Sequence, residues 1–171
     1  MNAPLKVVAI IGSPTDPDQL LRSGLGEASL EEELERVSQR DVAVRLVSWL
    51  PSRDIPEGVV VGTPQRAPLV DRLLARIGAG KLQRVLQRYP AGRLLNSLGP
   101  LDQSRVFWRA VRENKSALSV LDAADVLIAV DLSAVRTAWI TSRRNPSVDA
   151  YYGLASTLKV FATRFAHTTS S

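Results

Sequence analysis

The chain has 171 residues, 45% of them apolar and 23% charged, with a formal net charge of +5. That suits one domain with its own core and excludes a disordered chain. It has no cysteine and one histidine, His167, which excludes disulfides and thiolate sites and argues against multi-histidine metal sites and a serine–histidine triad.

No apolar run approaches the ~18 residues of a membrane span, and no secretion signal is readable. A cytoplasmic protein is therefore expected. The charge is uneven. Residues 1–62 hold six Lys+Arg and ten Asp+Glu (net −4); residues 63–171 hold sixteen and seven (net +9). A basic second part suits a phosphate, nucleic-acid or anionic-membrane partner, or simply a solvated arginine-rich surface.

Residues 5–11, LKVVAII, form a near-continuous apolar run. This is the pattern of a strand buried on both faces in a parallel sheet. Gly12-Ser13-Pro14 ends it. Residues 15–26 are rich in turn formers and predict a loop with some helix. Residues 29–40 predict a helix, with Ser29 as N-cap, Glu32 completing a capping box, and Leu30, Leu34 and Val37 as the apolar stripe. Residues 42–50, VAVRLVSWL, predict a second strand. Residues 51–56 form a turn-rich loop, and residues 58–62, GVVVG, predict a short third strand.

Residues 64–99 predict basic amphipathic helices, broken at Gly78–Gly80 and Pro90–Gly92. Asp102 then caps one long helix to about Leu121, with Phe107, Ala110, Val111, Leu118 and Leu121 on one face. Residues 125–130 predict a strand and residues 133–143 a helix. Asn145-Pro146 predicts the start of a last helix, with Val148, Tyr151, Ala155, Leu158, Ala162 and Phe165 facing the core. Strands separated by helices mean an α/β domain, Rossmann-like, with a small, mainly parallel sheet. The domain is expected to span residues 1–166, with a basic segment at 66–98 and a polar tail at 167–171.

Open α/β sheets bind ligands at the carboxyl ends of their strands. Two places qualify. The turn Gly12-Ser13 after the first strand can bring backbone N–H groups to a ligand, although neither GxGxxG nor GxxxxGK[ST] is present; a plain strand-ending turn is the alternative. Asp131 ends the strand at 125–130. It can hydrogen-bond a sugar hydroxyl or act as a general base, or it can cap the next helix, with Ser133 competing for that cap. Arg136 lies nearest the mouth of the sheet and suits an anion. Arg143 and Arg144 are explained by the helix dipole. Arg66, Arg72, Arg76, Lys81, Arg84 and Arg88 suit an anionic bilayer, or a solvated face. With 5% aromatics and no aromatic-with-basic motif, nucleic acid is disfavoured. No metal site and no cofactor are expected.

The segment at 124–144, ADVLIAVDLSAVRTAWITSRR, resembles a segment in the first domain of GT-B glycosyltransferases. Ala124-Asp125-Val126, Asp131, Ala138 and Arg143-Arg144 match in spacing. Where that family often has histidines, this chain has Ile128, Ala129 and Val130, and the usual glycine pair after the first strand is reduced to Gly12. The resemblance implies the acceptor-side half of such an enzyme. Asp131 would be its catalytic residue, and Gly12, Ser13, Asp131 and Arg136 would bind the ligand. The nucleotide-sugar would be held by a separate donor-binding chain, and the basic helices would lie at the inner face of a membrane. A second resemblance is to nucleoside deoxyribosyltransferase-like folds, with Arg136-Thr137-Ala138-Trp139 standing where their Gly-Thr-Ala turn would be. It implies an autonomous small enzyme on a nucleoside or nucleotide. A non-catalytic membrane-surface or scaffold module is the remaining alternative.

Overall fold

Alternation within residues 5–11 decides the architecture. Val7, Ala9 and Ile11 point to one side of the strand and Val8 and Ile10 to the other, and all five are buried. A strand apolar on both faces needs helices on both faces. The structure, a computed structural model, describes residues 3–62 and 102–166.

Five parallel strands run through it: β1 (Leu5–Ile11), β2 (Val42–Ser48), β3 (Gly58–Val60), β4 (Val126–Ala129) and β5 (Asp149–Tyr152). Their order is β3-β2-β1-β4-β5. The helices are α1 (Pro17–Leu25), α2 (Leu30–Ser38), α3 (Gln103–Glu113), α4 (Lys115–Asp122), α5 (Leu132–Arg144) and α6 (Leu154–Ala166). Helices α1, α2 and α6 cover one face through Leu21, Leu30, Leu34, Leu154 and Phe161. Helices α3, α4 and α5 cover the other through Phe107, Val111, Ala117, Leu121, Ala134 and Ala138. This is the α/β, Rossmann-like arrangement that the sequence predicts.

Local signals account for most boundaries. Asp16 caps α1, Pro17 opens it, and Gly26 ends it with φ +72, a backbone region that favours glycine. The capping box at α2 is complete: Ser29 Oγ accepts from the Glu32 N–H at 3.1 Å, and the Ser29 N–H donates to Glu32 Oε2 at 3.1 Å.

Two expectations are corrected. The helix from Asp102 to Leu121 is two helices. Asn114 leaves the helical region (φ −101, ψ 104) and its side chain caps α4 by accepting the Ala117 N–H at 3.1 Å. Asn favours caps over helix interiors because its side chain competes for the backbone. The last helix does not start at Asn145-Pro146. Asn145 ends α5, and residues 149–152 form the edge strand β5. Tyr151 therefore packs from a strand, edge-to-face with Phe161 at 6.0 Å. The buried face of α6 is correspondingly shifted: Leu154, Thr157 and Phe161 are buried, while Ala155 and Ala162 are exposed. Of the two caps that the sequence leaves open for α5, Asp131 is the one used, and Ser133 lies inside the first turn.

The connection after β1 leads to α1 on one face, whereas that after β4 leads to α5 on the other. Neighbouring strands whose connections part in this way leave a crevice at their carboxyl ends, where such sheets take ligands.

One core position is locally unfavourable. Thr137, in α5, is fully buried and its hydroxyl has no hydrogen-bond partner among the described residues. Replacing it by the near-isosteric valine removes an unmet polar group. Thr137→Val is expected to raise stability by about 1 kcal/mol in urea unfolding; a loss of that size would mean that the hydroxyl is satisfied.

Candidate functional site

The crevice between β1 and β4 is occupied by the chain's own carboxylate. Strand β1 delivers Gly12 and Ser13 to the carboxyl edge, and β4 delivers Asp131 beside them. The Gly12 N–H donates to Asp131 Oδ1 at 3.2 Å, and the Ser13 N–H to Oδ2 at 2.9 Å. The Ser13 hydroxyl donates to Oδ2 at 2.7 Å, and the Ala134 N–H, in the first turn of α5, to Oδ1 at 2.8 Å. A carboxylate offers about four lone-pair directions, so these four donors fill it.

The contact is also tight in steric terms. A Cβ on Gly12 would lie 2.5 Å from the Ser133 carbonyl carbon and 2.7 Å from the Ala134 nitrogen. Only glycine lets β1 come this close to the start of α5. The other side of the Gly12 peptide is held too. Its carbonyl accepts the indole N–H of Trp49, just past β2, at 2.8 Å. Trp49 in turn stands edge-to-face on Phe107 of α3, with ring centroids 5.4 Å apart. One peptide thus ties together the ends of β1, β2 and β4.

Turn N–H groups and a helix N-terminus are the usual donors for a bound phosphate. Here the Gly12 and Ser13 N–H groups and the Ala134 N–H all point at Asp131. The protein carries its own anion where a nucleotide would place one. The start of α1 is no substitute, because Asp16 caps it and Asp18 lies in its first turn.

Asp18 is a second latch at the same edge. It is buried, and its carboxylate accepts the Ser52 hydroxyl and the Arg53 N–H (3.1 and 3.2 Å to its two oxygens). Ser52 Oγ accepts the Ile55 N–H at 2.9 Å, and Arg22 bridges to Asp54 through Nε (3.2 Å) and an Nη (3.0 Å). Residues 52–55 are thereby fixed against α1. Burial alone would raise the Asp18 pKa; the Ser52 hydroxyl, the Arg53 and Asp54 N–H groups and the Arg22 charge outweigh it and leave the pKa below the ordinary value of 3.8.

The structure therefore brings Gly12, Ser13 and Asp131 together at one point. Arg136 stands apart, exposed on α5 and without an ion-pair partner among the described residues. Arg66, Arg72, Arg76, Lys81, Arg84 and Arg88 lie outside the described residues. Trp49, Asp18 and Ser52 were not foreseen. The available signals were weak: a tryptophan at the end of a strand, and an aspartate in the first helical turn. Asp125, by contrast, sits at the opposite end of the sheet, where it accepts the Lys6 N–H at 2.8 Å. Among the described residues no group of His, Cys, Asp and Glu side chains is arranged to hold a metal ion, and no helix is long and apolar enough to cross a membrane.

Two outcomes test this geometry. Asp131→Ala strands the Gly12 and Ser13 N–H donors, removes the side-chain cap of α5 and should lower stability by about 3 kcal/mol, while Asp131→Asn, which keeps one acceptor oxygen and the cap, should lose about half as much. Gly12→Ala should cost at least as much as Asp131→Ala, because backbone must move to admit the methyl. Urea titrations of the three variants measure this, and a neutral Gly12→Ala would contradict the close approach.

The second outcome concerns acid. Because the folded pKa of Asp18 is depressed, its contribution is complete above the unfolded value and is lost as pH falls below 3.8 through the folded value. Melting temperatures of wild type and Asp18→Asn should differ by a constant amount near neutral pH and converge below pH 3.8. A gap that persists at low pH would place the effect in packing rather than charge. No protein-family model, no curated protein and no solved structure matches this chain.

Proposed function

We propose that this chain is the acceptor-side half of a GT-B-like sugar-transfer system, working with a separate chain that binds the nucleotide-sugar. The observation that carries the reading is the filled anion position at the β1–β4 crevice. A domain that occupies this place with Asp131 does not need to hold a nucleotide phosphate there. In a GT-B enzyme the donor diphosphate belongs to the other half, and the acceptor side meets hydroxyl groups instead. The exposed rim around Ser13, at Pro14, Thr15 and Asp16, suits a polyhydroxylated acceptor. A lipid-linked acceptor would place the domain at the inner face of a membrane.

Transfer requires basic groups and helix N-termini to stabilise the departing diphosphate. The second chain supplies these. In this chain Asp131 acts as a positioning group, because it holds the turn and the helix start that frame the acceptor. The nucleoside-directed alternative has less support. Thr137 and Ala138, which it would place on a turn, are buried inside α5.

The test is isolation of the full chain from its own cells with any polypeptide that stays bound, followed by assay of each component. Sugar transfer that needs both chains, together with no nucleotide-sugar binding by this chain alone in calorimetry, is the expected result. Nucleoside hydrolysis or exchange by the isolated chain would overturn the reading, as would tight binding of a nucleotide-sugar by it.

A further inference from the structure

Helix α5 presents three of the seven large apolar side chains that stand exposed among the described residues: Leu132 at 74%, Trp139 at 55% and Val135 at 36%. Their spacing of three and then four residues aligns them along one ridge. Arg136 and Arg143 share that ridge, and the Arg143 guanidinium lies 5.2 Å from the centre of the Trp139 ring. The opposite side of the helix, at Ala134, Thr137, Ala138 and Thr141, is buried. The ridge therefore adds little to the core of this domain.

Its charge is one-sided. Helix α5 contains three arginines and no acidic residue. With α3 and α4, the layer holds seven cations and two acids, whereas α1, α2 and α6 on the other face together hold four cations and five acids. None of the seven cations has an acidic partner within 4.0 Å among the described residues. What covers the ridge must bring both apolar surface and negative charge.

The composition narrows the occupant. Tryptophan and arginine dominate the few residues that carry protein–protein binding energy. A ridge of anchors at i, i+3 and i+7 is the shape that fits a groove in a partner. A second copy docking ridge to ridge would set arginines against arginines. A bilayer fits less well, because helices that hold to lipid present a wide apolar face, and this one offers three side chains.

We infer that the exposed ridge of α5 is a docking surface for a second polypeptide whose apolar groove is rimmed by Asp and Glu side chains. On the two-chain reading above, on which the partner's identity rests, it is the donor-binding chain. The ridge begins at Leu132, next to Asp131, so docking there brings the second chain to the mouth of the β1–β4 crevice.

The experiment uses the complex isolated from its own cells and variants of the full chain. Trp139→Ala should weaken the complex roughly 30-fold, the size of a hot-spot truncation. Arg136→Glu combined with Arg143→Glu should weaken it further at low salt than at high salt. Val160→Ala, on the opposite layer, should change nothing. Unaltered circular dichroism and melting would show that the variants fold. Arg136→Lys with Arg143→Lys keeps the charge and adds amines; zero-length carbodiimide coupling should then join position 136 or 143 to a carboxylate of the partner.

Affinities within roughly threefold of wild type for both disruptive variants would overturn the inference. So would coupling that maps only to other surfaces, a Trp139-dependent dimer of this chain, or Trp139-dependent binding to phosphatidylcholine vesicles containing phosphatidylserine with no second chain. A complex that needs α5 but transfers no sugar would keep the docking surface and remove the proposed function. A complex that transfers sugar but ignores the α5 variants would do the reverse, and absence of any bound chain would remove both.

Discussion

The arrangement of this domain depends on one carboxylate. Asp131 closes the crevice that the strand order opens, and it does so with the donors that a ligand would otherwise use. A buried or half-buried N–H without a partner is costly. In a fold that places two turns and a helix start at one point, something must accept those protons. Many domains of this class leave the task to a bound phosphate. Here the acceptor is covalently part of β4, so the edge is complete without a ligand. Gly12 and Trp49 follow from the same constraint. The glycine permits the approach, and the indole fixes the carbonyl on the other side of the same peptide.

Much of the fold was legible because its signals are local. The run at residues 5–11 gives β1 at its observed bounds, and Ser29 with Glu32 announces α2 through a capping box that both partners complete. The failures share one cause. Asn114 breaks a helix whose apolar periodicity continues across it, and pattern alone does not report a cap in the middle of a stripe. Strand β5 is a four-residue edge with alternate residues partly buried, short enough for its Tyr151 to fit a helical stripe equally well. Gly12, Ser13 and Asp131 were legible as strand-end residues. Their direct bonding to one another was not, because register between β1 and β4 is a tertiary property. The same holds for Asp18, whose partners lie 34 and 35 residues away.

The two helical layers differ in kind. Acidic α1 and α2 are tied to loops and neighbours through Asp18, Arg22 and the Ser29–Glu32 box, so their charges are largely engaged within the domain. The cations of α3, α4 and α5 have no acidic partner among the described residues. A layer that keeps its charges free and lifts a tryptophan into solvent is organised outward. The solvent-facing ridge begins one residue after Asp131, at the end of the sheet that carries the two latches, and runs away from it along α5.

The bonds from Gly12 and Ser13 to Asp131 span 119 and 118 residues of sequence. They join the first strand to the fourth, and neither β1 nor its turn can find that acceptor until more than three-quarters of these 171 residues have been synthesised. Closing so long a loop is entropically expensive and weights the topology toward slow folding. Until β4 arrives, β1 and β2 present an apolar strand edge with nothing beside it, the kind of surface on which incomplete chains associate. The carboxyl edge is therefore among the last parts of the molecule to form. A newly made chain cannot offer this edge to any ligand or partner before its central strands have paired.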